Sequence, residues 1–266
     1  MLKEDLSLLI SSCGAFSDLW EGQITMLDRH WKEKNIDTYI VTDTNPENKS
    51  FQNVKILTAG EGTEITERFS FFLKECKTEY VFITLDDYYL IKDVSNKRIK
   101  YLIDVMKEKN LDYLRIFRLP SDGKLLSDTD EIYDIPFRED KSKYYVNLYP
   151  GIWKKDFLAK TLKEKLNAWQ YEVSLTPLAI ELNAKCAVDR ADDYVLLDVV
   201  RKGKILHKAN KYFKENPGIY TGNRPLISYF FELKLFIYAL CQKILPRKLI
   251  RGIKPFLRKL GFKFYS

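Results

Sequence analysis

Short apolar runs alternate with segments of helical periodicity through the first part of the chain, and this alternation restricts the possible folds more than any other feature. β-rich runs occur at residues 6–12, 38–43, 79–85 and 112–119. Between them, apolar side chains recur three and four positions apart at residues 20–34, 66–77 and 97–110. Strands that alternate with helices form a parallel sheet, because each helix returns the chain to the same end of the sheet. The sequence therefore predicts an α/β fold with a mostly parallel sheet flanked by helices.

The second part of the chain is less regular. Residues 120–145 are polar and rich in turn formers, which predicts a long excursion over the active-site face. Further helices are predicted at residues 157–165 and 171–183. The Pro and Gly residues between 217 and 225 predict a break, with a catalytic domain at 1–225 and a C-terminal segment at 226–266.

The C-terminal segment is strongly basic. From residue 233 onward the chain has nine Lys or Arg residues and no acidic ones, so the formal charge of +7 leaves about −2 for the first 232 residues. Apolar residues are interleaved with these cations at residues 243–264, although Pro246 and Pro255 interrupt any single helix. Such a segment is typical of an amphipathic helical tail on an anionic membrane surface. A helix packed on the protein body, with a solvated basic face, is the alternative.

Several other classes of protein lack support in the sequence. The four cysteines are widely spaced, with no C-x-x-C pair, so neither a zinc site nor a disulfide framework is predicted. Phosphate-binding loops, dinucleotide-binding glycine motifs and a glycine-rich nucleotidyltransferase opening do not occur. The apolar run at residues 6–10 is too short for a signal peptide, which predicts a cytoplasmic protein, peripheral on the inner face of the membrane.

The strongest local feature is an apolar strand that ends in Asp86 and Asp87. Ligands of open α/β sheets bind beyond the carboxyl ends of the strands. Two carboxylates placed there repel each other and favour a divalent cation, Mn²⁺ or Mg²⁺, which holds a diphosphate through oxygen ligands. Asp87 is the candidate metal ligand, and Asp86 the candidate group for orienting the ribose or a metal-bound water. A solvated acidic turn is the alternative.

Together with its surroundings, this segment resembles the acidic motif of GT-A glycosyltransferases, particularly family 2-like enzymes of bacterial surface-polysaccharide synthesis. Other segments follow in the order that the resemblance implies. Residues 11–20 resemble the first strand and donor loop, 147–157 the acceptor-side segment, 168–172 the Trp-x-x-Glu segment and 199–204 a late segment near the site. The resemblance covers roughly residues 6–210 and implies a Rossmann-like GT-A sheet. The adjacent aspartates depart from the commoner Asp-x-Asp, which leaves open how the two divide their roles.

The resemblance also implies roles for residues outside the acidic pair. Ser12, Gly14 and Asp43 would contact the nucleotide base and ribose, and Arg68 would pair with the diphosphate. His207 would complete the metal site, since neutral imidazole suits Mn²⁺. Each position also has a structural alternative: a plain turn, a solvated helix charge or an exposed histidine. His30, the second histidine, is predicted to be non-catalytic.

Glu172 is the candidate general base. An inverting transferase needs a carboxylate that removes the proton from the attacking acceptor hydroxyl. The flanking Trp169 and Tyr171 are predicted to desolvate Glu172, raise its pKa and stack on the acceptor sugar, and Trp153 is the third predicted acceptor contact. A glutamate placed favourably in the first turn of a helix is the alternative.

These features predict a GT-A enzyme that transfers a sugar from a nucleotide-diphosphate donor, with UDP-sugars favoured, to a glycan. The acceptor is expected to be lipid-linked, for example through a polyprenyl chain, and inversion is favoured. The main alternative is a non-catalytic, membrane-bound adaptor with a GT-A-like body. Nucleic acid is not a predicted partner, because the body is nearly neutral and the tail's apolar residues suit lipid better.

Overall fold

A computed structural model describes residues 2–116, 123–126, 131–137, 144–220 and 222–233. These residues fall into two compact units, and the first contains residues 2–197 and 217–222. The second contains residues 198–216 and the described residues from 223 onward. The predicted boundary at residue 225 stays a prediction, since most of the segment after it lies outside the described residues.

The described helices include seven α-helices and one 3₁₀ helix at Gly14–Leu19. The α-helices are α1 (Leu2–Asp5), α2 (Trp20–His30), α3 (Ile65–Glu75), α4 (Asn96–Glu108), α5 (Lys155–Thr161), α6 (Ala168–Glu181) and α7 (His207–Glu215). None of these helices is long and apolar enough to cross a membrane. The predicted amphipathic tail at 243–264 lies outside the described residues.

Twelve strands occur in the described part of the chain. They are β1 (Leu6–Ser11), β2 (Thr38–Thr42), β3 (Val54–Thr58), β4 (Tyr80–Leu85), β5 (Tyr88–Leu90), β6 (Tyr113–Arg115), β7 (Ile132–Asp134), β8 (Gly151–Lys154), β9 (Cys186–Asp189), β10 (Leu196–Asp198), β11 (Val200–Arg201) and β12 (Lys204–Ile205). Eight of them form one sheet in the order β3-β2-β1-β4-β8-β6-β9-β7. Only β8 and β7 run against the other six strands. The predicted mostly parallel sheet is therefore confirmed.

Helices cover both faces of this sheet, because the central strands are apolar on both sides. All six residues of β1 are buried, which is typical of a strand enclosed by helices on two faces. Leu8 and Ile10 pack with α2 and α4 in one core, while Leu9 packs with α3, α5 and α6 in the other. Successive side chains of a strand point to opposite faces, so a continuous apolar run feeds both cores.

Each predicted helix and strand has a counterpart in the structure, while several further elements were not predicted, among them β8 and β7. β8 lies between β4 and β6 in a segment predicted to face the acceptor. The described part of the predicted polar excursion contains β7, which pairs with the edge of β9. This excursion is therefore partly a strand at the border of the sheet, stabilised by backbone hydrogen bonds.

Candidate active site

The carboxyl ends of three neighbouring parallel strands bring the predicted donor-binding residues together. Ser11 at the end of β1 is in register with Val41 of β2 and Leu85 of β4. Residues 12–14, 43–44 and 86–87 follow these positions directly, so they lie along one edge of the sheet. The Ser12 backbone N–H donates to the Val41 carbonyl at 3.0 Å, which extends the pairing past the end of β1.

Asp43 joins the loops that follow β1 and β2. Its Oδ1 accepts hydrogen bonds from the backbone N–H groups of Gly14 and Thr44, both at 2.7 Å. Glycine is required at position 14 by close packing, because a Cβ atom there would lie 2.0 Å from Thr44 Oγ1. The backbone at Gly14 therefore lies close to the loop that follows β2. The Asp43 carboxylate holds the two loops together.

Arg68, on α3, contributes positive charge to the same edge. Burial alone would raise the pKa of Asp43, but the backbone hydrogen bonds from Gly14 and Thr44, together with the Arg68 charge, lower it below its ordinary value. The Arg68 guanidinium donates to the Thr63 carbonyl at 2.6 Å through one terminal nitrogen. Its buried Nε atom makes no hydrogen bond to the described residues. The Arg68 charge therefore acts on Asp43, and the role of Arg68 as a diphosphate partner stays a prediction.

Asp86 ends a buried chain of hydrogen bonds. The indole Nε1–H of Trp20 donates to Ser12 Oγ at 2.6 Å, and the Ser12 hydroxyl donates to Asp86 Oδ2. Trp20 is fully buried, while Ser12 and Asp86 are 5% and 7% exposed. The Asp86 backbone N–H donates to the Ser11 carbonyl at 3.2 Å, which fixes the main chain at the start of the acidic pair.

The electrostatic character of this edge is negative. Burial is the largest cause of the raised pKa of the Cys13 thiol, and the charges of Asp86 and Asp43 raise it further, while Arg68 opposes them. The pKa of Tyr89 is likewise raised by burial and then by Asp86. Three carboxylates at one sheet edge, counting Asp87, provide an environment that favours a bound cation.

Glu172 lies in the second turn of α6 and is partly buried. Its pKa is raised because burial penalises the charged form, and a hydrogen bond from the Leu148 backbone N–H at 3.3 Å opposes that rise. The direction agrees with the predicted rise in pKa, while the contributions expected of Trp169 and Tyr171 stay predictions. A glutamate with a raised pKa is suited to proton transfer near neutral pH.

A pair of tyrosine rings connects Glu172 with the acidic pair. Tyr88 directly follows Asp87, and its ring lies 5.4 Å from that of Tyr149, centroid to centroid. Tyr149 directly follows Leu148, whose N–H group contacts Glu172. The segment at residues 147–149 therefore contacts both Glu172 and Tyr88, the residue that follows the acidic pair.

The three predicted acceptor contacts occupy different environments. Trp169 is 51% exposed and lies three residues before Glu172 on α6, so both side chains share one side of the helix. Tyr171 is fully buried, with its hydroxyl 2.6 Å from Thr161 Oγ1. Trp153 is also fully buried, between the rings of Tyr113 and Phe157. An acceptor contact at Tyr171 or Trp153 does not fit this burial, because both rings are closed to solvent by core packing.

His207 begins α7 in the second unit. Its Nδ1 lies 2.8 Å from Glu232 Oε2, its backbone N–H donates to Glu232 Oε1 at 2.9 Å, and its ring stacks on Tyr229. The carboxylate at Nδ1 leaves Nε2 as the nitrogen for a metal, an arrangement common among metal-binding histidines. The role of His207 as a metal ligand stays a prediction.

The donor chemistry of the acidic pair fits a divalent cation. Mg²⁺ is usually bound by one or two carboxylates, with the remaining oxygens supplied by substrate phosphates and water. Among the described residues, no group of three or more Asp, Glu, His or Cys side chains is arranged to hold a metal ion. A cation at Asp86 and Asp87 would therefore depend on donor phosphates for further ligands, and both Mn²⁺ and Mg²⁺ stay predictions.

Some contacts at this edge had no signal in the sequence. The hydrogen bond from Trp20 to Ser12 was not predicted, although residues 11–20 were together expected to form the first strand and donor loop. Tyr220 was missed as well, although its hydroxyl donates to Asp18 Oδ2 at 3.0 Å. These residues lie 202 positions apart in the chain, so no local pattern indicates that they meet.

A cleft of about 780 Å³ lies away from this edge, beside the amino ends of β2 and β3. Two of its lysines face carboxylates within the cleft itself: Lys34 lies 3.5 Å from Asp28, and Lys55 lies 3.9 Å from Asp37. The predicted donor residues lie at the opposite, carboxyl ends of the strands.

Comparisons with known proteins agree on the fold. No protein-family model matches the chain, and no curated protein matches its sequence. Among solved structures, S. aureus TarS 1–349 in complex with UDP-GlcNAc matches at 16% identity with a TM-score of 0.52, covering 76% of this chain and 60% of that one. A second S. aureus TarS structure matches at 15% identity with a TM-score of 0.50, covering 75% and 37% of the two chains. The chain thus spans less than two thirds of either TarS chain.

A UDP-glucose pyrophosphorylase in complex with UDP-glucose matches at 12% identity with a TM-score of 0.54. The match covers 80% of this chain and all of that one. At these identities the similarity is one of fold. The chain has the GT-A-like, Rossmann-like α/β fold shared by these structures, with its candidate site at the carboxyl ends of the central parallel strands.

Proposed function

We propose that this protein is a glycosyltransferase that moves a sugar from a nucleotide-diphosphate donor, with a UDP-sugar favoured, to a glycan acceptor. The observation that carries the proposal is the convergence of three parallel strand ends on one edge, where Asp43, Asp86 and Asp87 meet the Arg68 charge. Open α/β sheets bind their ligands at this position. The similar fold of TarS in complex with UDP-GlcNAc supports the same class of donor.

In this proposal, Glu172 acts as the general base of an inverting reaction. The acceptor hydroxyl oxygen forms a bond to the anomeric carbon of the donor sugar, and the bond from that carbon to the diphosphate oxygen breaks. The acceptor proton passes to the Glu172 carboxylate, and the nucleoside diphosphate leaves. A divalent cation at Asp87 would offset the charge of the leaving diphosphate. Trp169, exposed beside Glu172, would provide a flat apolar surface for the acceptor sugar.

Nucleotide binding tests the proposal first. We expect one of UDP, GDP, CDP and TDP to raise the thermal stability of the purified protein in the presence of Mn²⁺ or Mg²⁺. A ligand that binds only the folded state stabilises it by about 2.7 kcal/mol at 100 times its Kd. Asp87→Ala should abolish the cation-dependent shift.

Asp104→Asn is the matched control for Asp87→Ala, since Asp104 is an exposed carboxylate on α4 paired with Lys100. It should leave the nucleotide-dependent shift unchanged. If none of the four nucleotides stabilises the wild-type protein, the non-catalytic adaptor is favoured. Equal shifts in wild type and Asp87→Ala would remove Asp87 from the site.

Nucleotidyl transfer is a second candidate function, favoured by the fold similarity to UDP-glucose pyrophosphorylase over 80% of this chain. The two reactions differ in their products. A glycosyltransferase releases a nucleoside diphosphate from a nucleotide sugar, whereas a pyrophosphorylase forms pyrophosphate from a nucleoside triphosphate and a sugar phosphate. Pyrophosphate produced from UTP and a sugar 1-phosphate would support nucleotidyl transfer and oppose our main proposal.

We also propose that the C-terminal region attaches the protein to an anionic membrane surface, where a lipid-linked acceptor such as a polyprenyl-linked glycan would be available. Immediately before the basic segment, Tyr229, Phe230 and Leu233 are 77%, 67% and 53% exposed. Exposed aromatic residues next to a cluster of cations are typical of interfacial membrane binding.

Vesicle sedimentation tests the membrane proposal. Binding is expected to vesicles that contain phosphatidylglycerol, to weaken with added salt and to be reduced in the double variant Tyr229→Ser, Phe230→Ser. Tyr101→Ser is the matched control, because Tyr101 is 37% exposed on α4 in the first unit. Equal sedimentation with neutral and anionic vesicles would contradict an electrostatic attachment.

A further inference from the structure

The buried hydrogen-bond chain behind Asp86 has a defined direction. An indole N–H can only donate, so Ser12 Oγ accepts the hydrogen bond from Trp20 Nε1 at 2.6 Å. The serine hydroxyl then has one proton left to give. Its possible acceptors are Asp86 Oδ2 and the carbonyl of Cys13, which lies farther away at 3.3 Å. A carboxylate is the stronger acceptor, so the proton of Ser12 is directed to Asp86.

The residues of this hydrogen-bond chain are almost closed to solvent, which limits competition from water. Trp20 has no exposed surface, and Ser12 has 5%. Both residues are also fixed by their backbones: Ser12 through the bond to Val41 in β2, and Trp20 as the first residue of α2. A serine held at both its oxygen and its main chain has one orientation for its hydroxyl proton. A hydroxyl proton directed in this way restrains the orientation of the carboxylate that accepts it.

We infer that Trp20 and Ser12 are positioning residues, which orient the Asp86 carboxylate for the nucleotide donor through the chain Trp20 Nε1–H to Ser12 Oγ–H to Asp86 Oδ2. This inference rests on the proposed function. It assigns Ser12 to a role behind the donor site, since its only proton is given to Asp86 and its oxygen already accepts from Trp20. Trp20 acts solely through Ser12 in this arrangement.

If this hydrogen-bond chain orients Asp86, the effects of substituting Trp20 and Ser12 on the nucleotide Kd should not be independent. Ser12→Ala should raise the Kd for the nucleotide at least fivefold, because Asp86 loses the bond that orients it. Trp20→Phe removes the N–H group and should also raise Kd. In the double variant, Trp20→Phe should add no further loss to Ser12→Ala, since its partner is already absent. Two independent packing defects would instead multiply their effects on Kd.

Ser7→Ala is the matched control. Ser7 lies near the start of β1, whose last residue directly precedes Ser12; it is 1% exposed and accepts a hydrogen bond from the Thr78 hydroxyl at 2.9 Å. Its substitution also removes a buried hydroxyl from β1. We expect a similar loss of thermal stability in Ser7→Ala and Ser12→Ala, with the nucleotide Kd changed only in Ser12→Ala.

Nuclear magnetic resonance provides a readout that does not depend on nucleotide. The protein has four tryptophans, so four indole N–H signals are expected. The signal that disappears in Trp20→Phe is the one from Trp20. Ser12→Ala should shift this signal strongly. Asp86→Asn should shift it less, through the hydroxyl between them, and Ser7→Ala should leave it in place.

The outcomes separate this inference from the proposed function. If wild type binds none of the four nucleotides, the proposed function is wrong and the positioning role fails with it. If wild type binds nucleotide and Ser12→Ala binds it within twofold of wild type, only the positioning role is wrong. An indole signal of Trp20 that ignores Ser12→Ala would likewise overturn the hydrogen-bond chain.

Discussion

Substituting Glu172 by glutamine should separate activity from stability. The proposed general base would be lost, and general-base catalysis contributes about 10²–10⁴ in rate, or about 3–5 kcal/mol of activation free energy. We therefore expect kcat for sugar transfer to fall at least 100-fold, a factor taken from that range. The donor KM should change little, because Glu172 does not belong to the strand-end set that would bind the nucleotide.

The stability of the same variant should not fall at neutral pH. Glu172 has a raised pKa, so the folded state binds its proton more tightly than the unfolded state does. Between the ordinary value of 4.5 and the raised folded value, stability then decreases as pH increases, and the cost of burying the charge persists above that window. Glutamine removes this charge and retains an oxygen that accepts the Leu148 N–H. We expect Glu172→Gln to be at least as stable as wild type at pH 7, with the difference vanishing below pH 4.

Steady-state kinetics and urea unfolding at the two pH values check both parts. Glu181→Gln is the matched control, since Glu181 is an exposed residue at the end of the same helix and pairs with Lys163 at 3.2 Å. It should leave kcat and the nucleotide Kd unchanged. Transfer by Glu172→Gln within threefold of wild type would refute the assignment of the base. A large loss of stability at pH 7 would refute the account of its burial.

Three further predictions concern the loops and the aromatic residues. Asp43→Ala should lower the free energy of unfolding by about 2–3 kcal/mol in urea titrations, since two backbone N–H groups lose a charged acceptor. The pKa of Asp43 is lowered in the folded state. Its contribution to stability should therefore be present above its ordinary pKa and disappear as pH falls through the folded value. Gly14→Ala should lower Tm through the contact with Thr44 Oγ1, and adding Thr44→Ala should recover part of that loss. Trp153→Phe should alter Tm but not the acceptor KM, whereas Trp169→Ala should raise the acceptor KM and leave Tm unchanged; the opposite pattern would mean that Trp153 contacts the acceptor.

The sequence predicted the strands that are strongly apolar and failed for those defined by pairing alone. β1 and β4 were found because at least four of the six residues in each strand are apolar. β3 was missed since only some of its five residues face the core. β8 has four residues and begins at Gly151, so its strand character depends on its neighbours β4 and β6. Such pairing is decided by tertiary packing, which local periodicity does not report.

Strand ends made the candidate donor residues predictable, because parallel neighbours must end at one edge. Given β1, β2 and β4, the proximity of Ser12, Asp43 and Asp86 follows without knowledge of side-chain contacts. The partners of those residues did not follow. Ser12 and Asp86 are 74 positions apart, and their bond depends on the hydroxyl being held by Trp20 from a third element. A role behind the site, rather than in it, is visible only from such contacts.

Helix α6 explains why the aromatic residues around Glu172 have different environments. Tyr171, Leu175 and Ala179 recur every four residues and are all fully buried, so they form the core-facing stripe of the helix. Glu172 is rotated by about 100° from Tyr171, which places it at the border of that stripe, and Trp169 lies three residues earlier on the solvent side. Partial burial at this border raises the pKa of Glu172. A carboxylate at the border is desolvated by the body of the protein yet accessible from the side of Trp169, which is the combination that a general base requires.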